Sequence, residues 1–172
     1  MARTRPPSGD WSDPLQALQD EGRLPVERFV SFQINQLSTA FERQWTRVMR
    51  DRAGVSLSQW RILAMLDAGP LVFSRLAESI GIDKALMSRS TRDLQALDLI
   101  KVGPTPDDAR SLTLGLTAKG RRLLARMMPL AIQRQQHLLG ALTPEERRSF
   151  YSAVDKLKTA AEQWDESASG SP

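Results

Sequence analysis

Between Leu57 and Thr117 the hydrophobic period of the chain changes once, from the three-to-four spacing of helices to the alternation of strands, and Gly and Pro punctuate the breaks. Ser56 or Ser58 can cap a helix on which Trp60, Leu63 and Leu66 recur until Gly69-Pro70 stop it. A second helix runs from about Phe73 to Ile80 and ends at Gly81. Asp83 then caps a third, Lys84 to about Leu97, with Met87, Leu94 and Leu97 on its inner side. Beyond Asp98 the period falls to 2. Ile100 and Val102 alternate with other residues, Pro104–Asp108 form a turn, and Leu112, Leu114 and Leu116 answer from the far side, a two-stranded hairpin.

Longer helical stripes flank this unit. From Pro25, the residues Val26, Val30, Ile34, Leu37, Phe41, Trp45 and Val48 share one side of a helix that Gly54 ends. Thr117 caps another helix, carrying Leu123, Leu124, Met127, Met128 and Ala131 and closing at Gly140. Thr143-Pro144-Glu145-Glu146 is a capping box with proline at the first helical position, and Phe150, Val154, Leu157, Ala161 and Trp164 follow as a stripe. Residues 1–24 read as a flexible arm, with a short helical turn at Leu15–Asp20 before Gly22, and residues 166–172 as a flexible tail. The expected division is an arm (1–24), a long helix (25–53), the central unit (54–117), two further helices (118–165) and the tail.

Composition excludes several kinds of chemistry. The chain has no cysteine, which removes disulfides, thiolate zinc sites and cysteine nucleophiles together. Its one histidine, His137, cannot supply a tetrahedral metal site. There is no P-loop, no dinucleotide glycine fingerprint and no serine elbow with a histidine and carboxylate, so neither catalysis nor a cofactor is expected. No apolar run approaches the roughly 20 residues of a membrane span, and MARTRPPSGD lacks the apolar core of a signal peptide, so a cytoplasmic address is expected. Charge is unevenly placed: residues 56–126 hold 11 Lys+Arg against 7 Asp+Glu, while the rest holds 13 of each. The whole positive excess lies between residues 56 and 126.

Three short helices and a hairpin make a winged helix-turn-helix, so the expected fold is mainly α with a small β-hairpin wing and a helical dimerisation region. Such a unit lays the helix after the turn into the major groove of double-stranded DNA. Read as a wheel, that helix turns Lys84, Ala85, Ser88, Arg89 and Arg92 outward. Lys and Arg suit phosphate or guanine, Ser phosphate or base edges, and Ala close approach or a thymine methyl. Lys101 and Arg110 extend the basic face onto the hairpin, where an arginine at the tip suits a narrow minor groove and Asp108 can orient it. An ordinary solvated face, and a structural ion pair at the tip, are the plain alternatives. A winged helix serving only as a protein-interaction module is the other function class, but it has no need of the basic outward face.

Ser58-Gln59-Trp60-Arg61-Ile62-Leu63, Leu76-Ala77 with Gly81-Ile82-Asp83-Lys84-Ala85, Ser88-Arg89, Asp108-x-Arg110 and Leu116-Thr117-x-x-Gly120 resemble, in order and spacing, the MarR family of bacterial transcription regulators. The likeness runs over roughly residues 25–165. It implies a homodimer built from the first and the last two helices, a repressor of a pseudo-palindromic operator, and a small aromatic or lipophilic effector held between winged domain and dimer interface. The apolar stripes outside the central unit agree with pairing, and an intramolecular bundle is the alternative. On the same resemblance Trp45 and Trp60 flank the effector site with Arg61 as counter-ion, or are simply core. The chain also departs from the family pattern. Val72-Phe73 stand where a polar cap is usual, leaving phosphate contact at that helix end to Ser74 and Arg75. Ser90 takes a usually aliphatic position, Arg92-Asp93 invert the usual charge order, and Gln95 and Asp98 replace Glu and Gly.

Overall fold

The computed structural model describes residues 13–105 and 108–169, the side chains of 108–110 and 165–169 excepted. Helix α1 (Pro14–Glu21) is capped by the Asp13 carboxylate, which accepts from Leu15 N–H, and ends in a left-handed Gly22. A 3-10 turn (Val26–Arg28) leads into α2 (Val30–Ala53). The central unit follows as α3 (Leu57–Met65), β1 (Leu71–Val72), α4 (Phe73–Ile80), α5 (Lys84–Ala96), β2 (Ile100–Thr105) and β3 (Asp108–Leu116). Two long helices close the described chain, α6 (Ala118–Gly140) and α7 (Pro144–Ser169).

The caps are those the side chains allow. Ser56, not Ser58, caps α3 in a full capping box with Gln59. The Asp83 carboxylate accepts from Leu86 N–H at the start of α5, and Thr117 Oγ1 accepts from Gly120 N–H at the start of α6. Thr143 and Glu146 exchange the two bonds of a second capping box, at 2.7 and 3.2 Å, to open α7. Pro129 lies inside α6 and cannot donate to the carbonyl of Ala125. Both residues face solvent, where water can take the bond.

Two corrections come from the sheet. It has three strands in the order β1-β3-β2, not the two of a plain hairpin, because Leu71 and Val72 pair with Leu114 and Thr113. Leu112 shares a face with Leu114 and Leu116 but is exposed, since its partner Pro104 lies out along the ribbon beyond the packed body. Pro104 is tolerated there because β2 is an edge strand. A third correction is at the end of α7, which continues through 166–169, residues read from sequence as tail.

The core is shared by the winged unit and the adjoining ends of two long helices. Ile62, Leu63, Leu66, Leu76, Met87, Leu94 and Leu114 are closed off from solvent together with Met49 of α2 and Leu124 and Met127 of α6. Leu97, expected inside, is 42% exposed, and Leu99 is buried in its place. The reason is the turn that ends α5. Leu99 N–H bonds back to Leu94 O at 2.9 Å and Asp98 N–H to Gln95 O at 2.9 Å, with Asp98 left-handed at φ 56°, a Schellman pair that swings the chain round by one residue.

Candidate nucleic-acid interface and effector cavity

The turn Gly81–Asp83 joins α4 to α5 and leaves one side of α5 free. Met87, Ser90, Thr91 and Leu94 are buried; at about 100° per residue they occupy a single arc of the helix. Lys84, Ala85, Arg89 and Arg92 are exposed and Ser88 half-buried; Ala85, Ser88, Arg89 and Arg92 lie across the helix from that arc, and Lys84 at its edge. Ser74 and Arg75 are exposed in the first turn of α4, whose N-cap, Val72, makes no side-chain bond. Lys101 is exposed on β2 opposite Gly115. Among the described residues none of Arg75, Lys84, Arg89, Arg92 or Lys101 has a carboxylate within ion-pair distance; the pairs formed are Arg50–Asp51, Arg61–Glu42 and Arg148–Glu145. Asp108 and Arg110 open β3, but their side chains, and residues 106 and 107 of the tip, lie outside the described part.

A cavity of about 280 Å³ lies between α2, α3 and α6. Trp45 and Trp60 form its wall, each 7% exposed, with ring centroids 5.9 Å apart and planes at 74°. These rings are therefore core and cavity lining at once. Arg61 also reaches the cavity, but its guanidinium is held by Glu42 at 2.8 Å and does not stand as a free counter-ion. The unpaired charge belongs to Arg134 of α6. That guanidinium stacks 5.2 Å from Trp45 and 5.5 Å from Phe41 and donates to Phe41 O (3.0 Å) and Gln44 Oε1 (3.3 Å), all neutral groups. Burial pulls its pKa below the ordinary arginine value, though the group stays protonated at neutral pH. Phe41 and Arg134 also wall a second, apolar hollow of about 560 Å³ toward Leu37, Leu138, Leu142 and Phe150.

Arg134 and Glu42 were not singled out from the sequence, and Phe41 only as a member of the α2 stripe. A signal for the first existed: Leu124, Met127, Ala131, Arg134 and Leu138 recur at helical spacing, so a cation stands in an apolar stripe. Among the described residues no group of His, Asp and Glu side chains could hold a metal ion. No described helix is long and apolar enough to cross a membrane.

Helix, turn, exposed basic helix and three-stranded wing together define a winged helix-turn-helix of the DNA-binding transcription-regulator class. Residues 53–111 match the sequence profile of the MarR family. Over that stretch, about a third of its length, the chain is similar to that family of transcription regulators. It is 31% identical over 96 residues to the HTH-type transcriptional repressor NicR of Pseudomonas putida, a match spanning 56% of this chain and 61% of NicR. A MarR/EmrR family transcriptional regulator of Acinetobacter superposes with a TM-score of 0.75 at 25% identity, over 81% of this chain and 99% of its own. Bordetella bronchiseptica BpsR, whose DNA binding is regulated by 6-hydroxynicotinic acid, superposes with a TM-score of 0.70 at 25% identity, over 80% and 98%. These relatives are regulators, not enzymes.

Proposed function

We propose that the chain is a dimeric repressor that reads a pseudo-palindromic operator through α5 of each copy and lets it go when a small aromatic acid enters the Trp45–Trp60 cavity. The observation that carries the reading is the set of described cations along α4, α5 and β2, namely Arg75, Lys84, Arg89, Arg92 and Lys101, with which no described carboxylate forms an ion pair. Arg75, Lys84, Arg89, Arg92 and Lys101, with Arg110 at the wing, are assigned to phosphate or base edges, and Ser74, Ala85 and Ser88 to close contacts between them. Asp108 is assigned to orienting Arg110. A winged helix used for protein contacts alone leaves these cations without a task.

Pairing is supported by surface that the described residues leave uncovered. No described side chain of α7 is buried, and Phe29 at the N-cap of α2, Val30, Ile34 and Leu37 on it, and Leu157 of α7 are all exposed. An isolated helix that makes so little contact is marginal in water, and a second copy is the economical cover. The class of effector follows from the cavity: two indole rings offer edge and face contacts, and a half-buried guanidinium without a carboxylate partner favours an acid. BpsR answers to an acid of that type. Trp45, Trp60 and Arg134 are the assigned contacts, with Arg61 at the mouth.

Selection of duplexes from a random pool tests the reading. Enriched sequences should be inverted repeats with half-site centres about one helical turn, roughly 34 Å, apart. A pool without enrichment, or with an asymmetric single site, overturns it. Benzoate or 6-hydroxynicotinate should release the selected duplex from the parent chain and act more weakly on Arg134→Ala.

A further inference from the structure

Helix α3 is only nine residues long and faces two ways. Leu57, Trp60 and Arg61 line the cavity. Ser58 and Gln59 project from the opposite arc, given about 100° per residue, and reach the recognition helix. Ser58 Oγ lies 3.0 Å from Ser90 Oγ, and Gln59 Nε2 donates to Asp93 Oδ2 at 3.2 Å. Gln59 and Ser90 are both buried. The capping box fastens this contact to the first turn of α3: Ser56 N–H donates to Gln59 Oε1, Ser56 Oγ accepts from Gln59 N–H, and the same hydroxyl lies 3.0 Å from Ser58 Oγ.

We propose that this polar seam, Ser58–Ser90 and Gln59–Asp93, is the route by which occupancy of the cavity reaches α5. The inference rests on the reading of that cavity as the effector site. A helix this short moves as one body, so a ring pressed against Leu57 and Trp60 carries Ser58 and Gln59 with it. Apolar surfaces tolerate a small slip, whereas hydrogen bonds weaken steeply with distance and angle. A buried hydroxyl or amide stripped of its partner is costly, so α5 follows α3 and the seam stays closed. The effector then biases the pose of the recognition helix by its different affinity for the two positions of α3. Ser58, Gln59, Ser90 and Asp93 are positioning residues, and none is needed to touch DNA or effector.

The absence of cysteine makes a direct test available. Ser38 lines the cavity and is exposed, so Ser38→Cys offers one thiol on its wall. That thiolate attacks the disulfide of dithiobis-nitrobenzoate, keeping one thionitrobenzoate in a mixed disulfide and releasing the other as the thiolate, and a reductant cleaves the adduct. Amide hydrogen exchange over residues 84–96 is compared with and without the adduct, in the Ser38→Cys chain and in the same chain with Ser90→Ala and Asp93→Ala. Asp93→Ala alone, at an exposed position, guards against misfolding of the combined variant and should give partial loss. The adduct should change α5 exchange by about tenfold, reversibly, in the first chain and leave it nearly unaltered once the seam is gone. An equal change in both chains, or none in the first, overturns the proposal. Binding of the selected duplex by the same samples keeps the two claims apart. If α5 exchange responds through the seam while DNA binding never does, the effector reading fails and the seam stands. If DNA binding falls equally with and without the seam, the cavity is regulatory by another route and the proposal fails.

Discussion

Thr91, Asp98 and Gly120 show how single residues set the pose of the recognition helix. Thr91 is buried on α5 with its hydroxyl unpaired, a group that folding removes from water without return. Thr91→Val keeps the shape and deletes the hydroxyl, and should raise stability by about 1 kcal/mol in thermal or urea unfolding; a loss would mean the hydroxyl has a partner in solution. Gly120 packs at the start of α6 directly against the backbone of Leu99, where a Cβ would collide with the carbonyl oxygen. Gly120→Ala should therefore cost about 3 kcal/mol, and a neutral result would show that the α6 start can shift. Asp98 was legible in the sequence as the residue that stands where the family has Gly, and it takes the left-handed conformation there. Leu97 was not, because a helical period carried through the last turn does not know where the Schellman bonds redirect the chain. Arg134 escaped for a related reason: the stripe on α6 was read for its apolar members and stopped at Ala131, one helical step before the cation.

At the scale of elements, start signals were the most readable part of the chain. Ser56, Asp83, Thr117 and Thr143 all cap the helices that begin after them, because each offers an oxygen to N–H groups that no helix can satisfy internally. Strand β1 went unseen since two residues carry no period; it exists only because β3 presents an open edge to it. The outward side of α5 was legible from the wheel, and its exposure agrees for Lys84, Ala85, Arg89 and Arg92. If Arg89 and Arg92 meet phosphates, replacing each by Ala should reduce the slope of log affinity against log salt by about 1. A lower affinity with the slope unchanged would place them on base edges, and neither effect would take them out of the interface.

At the scale of the molecule, a closed winged domain carries long helices whose apolar sides lack cover among the described residues. A groove of about 750 Å³ runs between α1, the start of α2 and Leu157 of α7, lined by Leu15, Leu18, Leu24, Phe29 and Val30. Pairing was suggested by the stripes, but sequence could not say which parts fold back on their own domain: Trp45 and Met49 at the end of α2 are buried, whereas Ile34 and Leu37 are not. Sedimentation should report about twice the 19.2 kDa chain mass at micromolar concentration, and Leu157→Glu should lower it toward the monomer; a monomeric parent would remove the second reading head. The central claim is that the free side of α5 faces a duplex, twice, at the spacing of one turn. Gln95→Cys puts the only thiol of the chain on that side, one turn beyond Arg92, where an attached iron chelate cuts nearby DNA. On the selected duplex the cuts should fall in two symmetric patches about 34 Å apart; a single patch, or no cutting above that of the free chelate, would contradict the account.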